Sequence, residues 1–173
     1  MKIHRYESSI EQVNATVKPT IFLAGPTVRG NQPHLTSWRF EAIEIFDKLG
    51  FTGSLIIPEF IDKTESDKGR IDLPLWEHNG LTVADCILFW IPRTRELIGL
   101  NTNSEQGFWL ARCPGKLVYG RPDNAYRIQY NDIMWNQTFK ELGMQRQIYN
   151  TLEDTVKASI GLLDNYLFDT KFI

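Results

Sequence analysis

Two glutamates stand beside an apolar run in this chain, and that placement is where chemistry has to be sought. In the stretch WEHNGLTVADCILFWIPRTRELIGLNTNSEQGFW, residues 76–109, Glu77 lies eight residues before Asp85, at the start of a helix leading into the run CILFWI. Glu105 follows the Gly/Asn/Thr loop beyond that run, in the expected first turn of the next helix. Carboxylates next to a buried strand need a reason, because burying a charge is costly unless it is paired or used. Two of them converging on the carboxyl edge of a sheet suit acid/base and nucleophilic work on a glycosidic bond. In a first helical turn the positive end of the dipole would favour the ionised form of Glu105. The plain alternatives are an ordinary N-terminal helix glutamate for Glu105 and a solvent-facing helix residue for Glu77.

The elements that must position these residues alternate along the chain. TIFLAG (20–25) is a short apolar run ended by Gly-Pro, a buried strand and its turn. Ser37 is placed to cap a helix over 38–49, whose Trp38, Ala42, Ile45, Phe46 and Leu49 share one face, and Gly50 closes it. SLIIP (54–58) reads as a second strand. The charged loop EFIDKTESDKGR follows, and long polar loops in compact domains are often functional or mobile. Asp72 reads as the N-cap of a helix to about Ala84, with Pro74 tolerated in its first turn. CILFWI (86–91) has the unbroken hydrophobicity of a strand buried on both faces. Thr102 or Asn103 is expected to cap the helix SEQGFWLARC. KLVYG (116–120) is a fourth strand and QRQIYN a candidate fifth. Leu152, Val156, Ile160, Leu163 and Leu167 form the apolar stripe of a last helix. The expectation is an α/β, doubly wound, flavodoxin-like sandwich with a mostly parallel sheet of four to five strands flanked by helices. Residues 1–18 show no clear periodicity and read as a leader or edge element to a single domain spanning 1–173.

Bulk properties exclude more than they identify. With 173 residues the chain can bury a core of its own, and a net charge of −2 supplies no general reason to expect nucleic acid or membrane as partner. No signal peptide is legible at the N-terminus and no run approaches a membrane span, so a cytoplasmic location is expected. Cys86 and Cys113 read as free thiols, and His4, His34 and His78 have no ligand spacing, so neither a metal nor another cofactor is expected. The phosphate loop GxxxxGK[ST] and the dinucleotide fingerprint GxGxxG are both absent.

Five pieces in order, IFLAGPT, SWRFEA, PEF, WE…ADCILFWIPR and TNSEQGFW, resemble the nucleoside 2-deoxyribosyltransferase family, most closely its shorter, divergent branch. The resemblance runs from about residue 20 to residue 122. It implies a flavodoxin-like fold and transfer of 2-deoxyribose between nucleobases by double displacement. Glu105-Gln106-Gly107 matches the E-x-G of the family nucleophile, and Glu77 falls where a second carboxylate, commonly aspartate, is found. Gly25, Pro26 and Thr27 would then turn the chain below the nucleobase, or form a plain strand-end turn. Arg29 and Arg39 would bind sugar or phosphate oxygens, with an ion pair as the alternative for Arg39. Arg93 stands at the mouth of the site with both roles open. Asn101 and Asn103 would hold the 3′-hydroxyl or orient Glu105. Asn131, before the segment ending in Trp135, would match the asparagine that a neighbouring subunit donates. Asp85 is expected to cap or to bridge as readily as to catalyse, and Trp90 to sit in the core. The partners implied are nucleosides, free nucleobases and further copies of the chain, for which the tail NYLFDTKFI is a candidate contact.

Two other functions compete. PTVRGN is similar to the phosphate-side turn of N-glycoside hydrolases acting on nucleoside 5′-monophosphates, where water resolves the intermediate. A non-catalytic nucleotide-sensing module on the same fold is the third reading, against which intact Glu77 and Glu105 speak.

Overall fold

Every strand of the sheet runs the same way, a consequence of helical crossovers between short apolar runs. A computed structural model describes residues 1–61 and 72–169, the side chains beyond 164 excepted. The strands are β1 (Lys2–His4), β2 (Thr20–Ala24), β3 (Ser54–Ile56), β4 (Cys86–Trp90), β5 (Leu117–Gly120) and β6 (Ile148–Tyr149). They lie in the order β1-β3-β2-β4-β5-β6. Without β1 this is the flavodoxin-like order, so the fold is α/β and doubly wound, as the alternation of elements implied. The sheet has six strands where four to five were expected. The additional one is β1, in the segment read as leader or edge element, which pairs with β3 through Lys2, Ile3 and His4. Three residues are too few to show a period, which is why the pattern was silent there.

The central strands bury both faces. Phe22 and Ala24 of β2 with Ile87 and Phe89 of β4 face one core, completed by α1 (Ile10–Asn14), α3 (Leu73–Val83), α4 (Leu100–Arg112) and α5 (Gln129–Glu141). Ile21, Leu23, Leu88 and Trp90 face the other, covered by α2 (Trp38–Lys48) and α6 (Leu152–Asp169). Trp90 is core, as expected. The helix α5 had no counterpart in the sequence reading, and neither did α1, whose Ser9 forms a capping box with Gln12. Ser37 does cap α2, accepting from the Arg39 N–H. Asp85, at the amino end of β4, accepts from Lys18 Nζ at 2.9 Å and the Thr20 N–H at 2.8 Å, far from the carboxyl edge. Of its open roles the structural one is observed.

From β2 the chain crosses to β3 on one side, and from β4 to β5 on the other. The carboxyl ends of β2 and β4 therefore border the crevice where ligands bind in such sheets. Gly25 allows this edge to close tightly. Its φ is +151°, and a Cβ there would lie 2.1 Å from the Trp90 carbonyl oxygen and 2.9 Å from the Trp38 ring. Gly99, at φ +63°, approaches the Pro26 ring in the same way and starts α4. Gly25→Ala is expected to lower stability by about 3 kcal/mol, the upper range for overpacking a filled core. A denaturant titration that finds the variant within error of the parent would contradict the close approach.

Candidate active site

Glu77 and Glu105 meet. Each stands in the second turn of its helix, α3 and α4, and the two carboxyl groups are close enough to hydrogen-bond. Glu77 also accepts a hydrogen bond from the Tyr6 hydroxyl through Oε1. Tyr6 arrives from beyond β1: its N–H donates to the Glu59 carbonyl, and its ring packs on Phe60 at 4.9 Å and on Trp76 at 5.0 Å. Burial, then the charge and hydrogen bond of Glu77, raise the Tyr6 phenol well above its ordinary range, so it is a neutral donor at any physiological pH.

The expectation for Glu105 is corrected on two counts. The helix begins at Leu100, with Gly99 as N-cap, so neither Thr102 nor Asn103 caps it and Glu105 is not in its first turn. Nor is Glu105 favoured as an anion. Desolvation, then the negative charge of Glu77 and the hydrogen bond between them, push its pKa from 4.5 up to about 8, against a smaller opposite pull from Arg39. The left-handed conformation of Gly99 lets the helix begin five residues before Glu105, where side-chain capping residues pointed to a later start.

A second buried group frames the pair. Arg39 is fully enclosed and spends its donors on the turn after β2: Nε on the Leu23 carbonyl, Nη2 on that of Gly25, Nη1 on that of Pro26 and on Thr27 Oγ1. Its Nη1 also meets Glu59 Oε1 at 2.7 Å, and the Ser37 hydroxyl bonds the same carboxylate. The ion pair proposed as the alternative for Arg39 is thus the arrangement found. Gly25, Pro26 and Thr27 form the expected turn, held by Arg39 from below. A narrow cavity of about 20 Å³, room for one water molecule, lies beside it between Tyr6, Thr27, Ser37, Phe40, Glu59 and Phe60.

Arg29 is exposed on the connection to α2, and Asn101 is exposed in the first turn of α4. Arg93, Asn103 and Asn131 come together on the other flank of α4. Arg93 donates to Asn131 Oδ1 at 3.4 Å and to Asn103 Oδ1, while Asn131 Nδ2 donates to Asn103 at 3.0 Å and to Gln106 at 2.6 Å. Asn131 is buried in α5, within a hydrogen-bond network of its own chain. Most of the charged loop, residues 62–71, and the side chains of the tail lie outside the described residues.

Tyr6 and Glu59 were missed. Tyr6 follows a strand too short to recognise. Glu59 had a signal: it directly follows Pro58 at the carboxyl end of the second strand, the edge where function was sought. Among the described residues no three His, Cys, Asp or Glu side chains are grouped to hold a metal ion, and no helix is long and apolar enough to cross a membrane. Compared with known proteins, the chain matches no family model and no curated sequence.

Because folded Glu105 keeps its proton to about pH 8 while the unfolded carboxyl releases it near 4.5, the native state binds the extra proton between these values. Its contribution to stability therefore falls as pH rises from about 4.5 to about 8. Denaturant midpoints across this window should decline less in Glu105→Gln than in the parent. Parallel curves for the two proteins would show that Glu105 is not the titrating group.

Proposed function

We propose that the chain cleaves the N-glycosidic bond of 2′-deoxynucleosides and passes the deoxyribosyl group to another nucleobase, the activity implied by its resemblance to nucleoside 2-deoxyribosyltransferases. One observation carries the reading: the carboxyl groups of Glu77 and Glu105 lie within hydrogen-bond reach of each other, where burial and mutual repulsion favour a retained proton. An inverting pair of carboxyl groups stands roughly 6.5–9.5 Å apart to admit a water between them. A retaining pair stands roughly 5–5.5 Å apart. The two glutamates are closer still, which argues against the inverting arrangement and leaves the covalent route, in which one carboxylate attacks the anomeric carbon.

In the resting site Glu105 carries the proton. As substrate settles, that proton passes across the hydrogen bond to Glu77, and the freed Glu105 carboxylate attacks C1′. The C1′–N bond breaks with its electron pair going to the departing base, which takes the proton from Glu77. A deoxyribosyl ester of Glu105 and a neutral free base result. An incoming base then gives its N–H proton to Glu77 and attacks C1′, and the ester oxygen leaves as the Glu105 carboxylate. Tyr6, as a fixed donor, holds Glu77 toward its partner throughout. The positive charge of Arg39 tempers the repulsion when both glutamates are ionised.

Incubation of purified protein with deoxyinosine or thymidine and a free acceptor base should yield the new deoxynucleoside, detected by chromatography. Glu105→Ala should abolish it, and Glu77→Gln should slow it by about 10²–10⁴, the usual worth of a general acid. Release of free base and sugar regardless of acceptor would replace the transferase reading by hydrolysis. Nucleotide binding without turnover would make the protein a sensor.

The pH profile follows from the same proton. Above about pH 8 the pair loses the proton that the leaving base needs, so kcat/KM for exchange should fall as pH rises through that value. A profile that keeps rising through pH 8 to 10 would mean that the proton is inhibitory, and this mechanism would be wrong.

A further inference from the structure

Arg93 carries a charge that no anion among the described residues balances. It lies just past the carboxyl end of β4 and is 5% exposed. Its partners are all neutral: Nη1 donates to the Arg127 carbonyl at 3.2 Å and to Asn131 Oδ1, and Nη2 to Asn103 Oδ1. Among the described residues its Nε has no hydrogen-bond partner, and neither has Nε2 of Gln106, 2% exposed in the same network. Among the described residues no carboxylate pairs with Arg93. The acid next along α5, Asp132, is taken by Arg121 at 3.0 Å and by the Tyr119 hydroxyl at 2.8 Å.

An enclosed guanidinium with neutral acceptors is an unfinished interaction, since a buried charge is stable only when paired. Its surroundings add positive potential. The α4 helix starts at Leu100 without a side-chain cap, so the positive end of its dipole adds to the guanidinium at Asn103. The backbone is committed as well. Arg127, whose carbonyl faces Arg93, sits at φ +49°, and the Tyr126 N–H donates to the Arg93 carbonyl at 2.8 Å. An L-residue in the left-handed region is retained where its surroundings over-determine it.

The unused Nε and the Nη2 occupied by Asn103 form one edge of the guanidinium, the side-on fork that grips two oxygens of a carboxylate or phosphate. Asn103 is exposed, whereas Asn131 and Gln106 are buried. The Asn103 amide oxygen therefore occupies the place of an oxyanion and is the one member of the network free to swing into solvent.

We propose that Arg93, Asn131 and the first turn of α4 form a phosphate subsite, which an oxyanion enters by displacing the Asn103 side chain. Resting on the glycosidic reading of the neighbouring carboxyl pair, it makes the substrate a phosphorylated deoxynucleoside or makes free phosphate a second ligand.

Titration calorimetry needs no turnover and so tests the subsite apart from the activity. The full chain is titrated with inorganic phosphate, a 2′-deoxynucleoside and its 5′-monophosphate, using the parent, Arg93→Gln and Asn103→Ala. The monophosphate should bind about tenfold or more tighter than the nucleoside, the scale of one charge-assisted fork. That preference should vanish in Arg93→Gln and grow severalfold in Asn103→Ala. Binding of inorganic phosphate that depends on Arg93, with no preference for the monophosphate, would assign the subsite to free phosphate. Should Arg93→Gln fail to fold, Asn103→Ala decides, because it leaves the guanidinium in place: unchanged or weaker phosphate binding overturns the proposal. So does a parent protein that binds neither phosphate nor the monophosphate better than the nucleoside.

Discussion

A guanidinium without access to solvent is the constraint on which the crevice depends. Arg39 joins the end of β2, the start of α2 and the loop after β3 in one set of hydrogen bonds, and Glu59 in that loop balances its charge. Removing either partner would strand the other's charge, which in buried pairs is worth several kcal/mol. The turn at Gly25 is thereby held against Trp90, at the edge of the sheet where ligands bind in such folds. This matters because stabilisation of a developing charge works best when its groups are placed beforehand.

The carboxyl pair is built on the other side by elements that come from far apart in the chain. Glu77 is brought by α3, Glu105 by α4, and Tyr6 by the segment after the edge strand. Low access to water and mutual repulsion hold a proton on the pair, and Arg39 limits the effect. This differs from a helix-terminal glutamate kept ionised by a dipole. A store of one proton next to a nucleophile suits a reaction whose leaving group must be protonated as its bond breaks. The opposite flank of α4 is different in character. There Arg93 is surrounded by neutral amide groups.

What the sequence made legible follows from the range of each signal. The central strands β2 and β4 were plain because burial on both faces leaves uninterrupted apolar runs. The α2 cap at Ser37 was plain because it is local. Glu77 and Glu105 stood out by their placement beside the strand run, and the structure brings their carboxyl groups together. The protonation state was not legible, because desolvation depends on packing between helices distant in sequence. The start of α4 was misplaced because Gly99 in a left-handed conformation replaced the polar caps that the loop offered. Tyr6 and the strand before it were invisible at three residues, and α5 was hidden by a polar sequence whose apolar positions, Trp135 and Phe139, are few.

The central claim is that Glu105 is a covalent nucleophile. Its most direct test is intact-protein mass spectrometry on samples quenched in acid after incubation with a 2′-deoxynucleoside in the absence of an acceptor base, followed by peptide mapping. The account predicts a deoxyribosyl adduct on Glu105 that disappears when an acceptor base is added before the quench. Base exchange without any adduct on Glu105, or with the adduct on another residue, would contradict it.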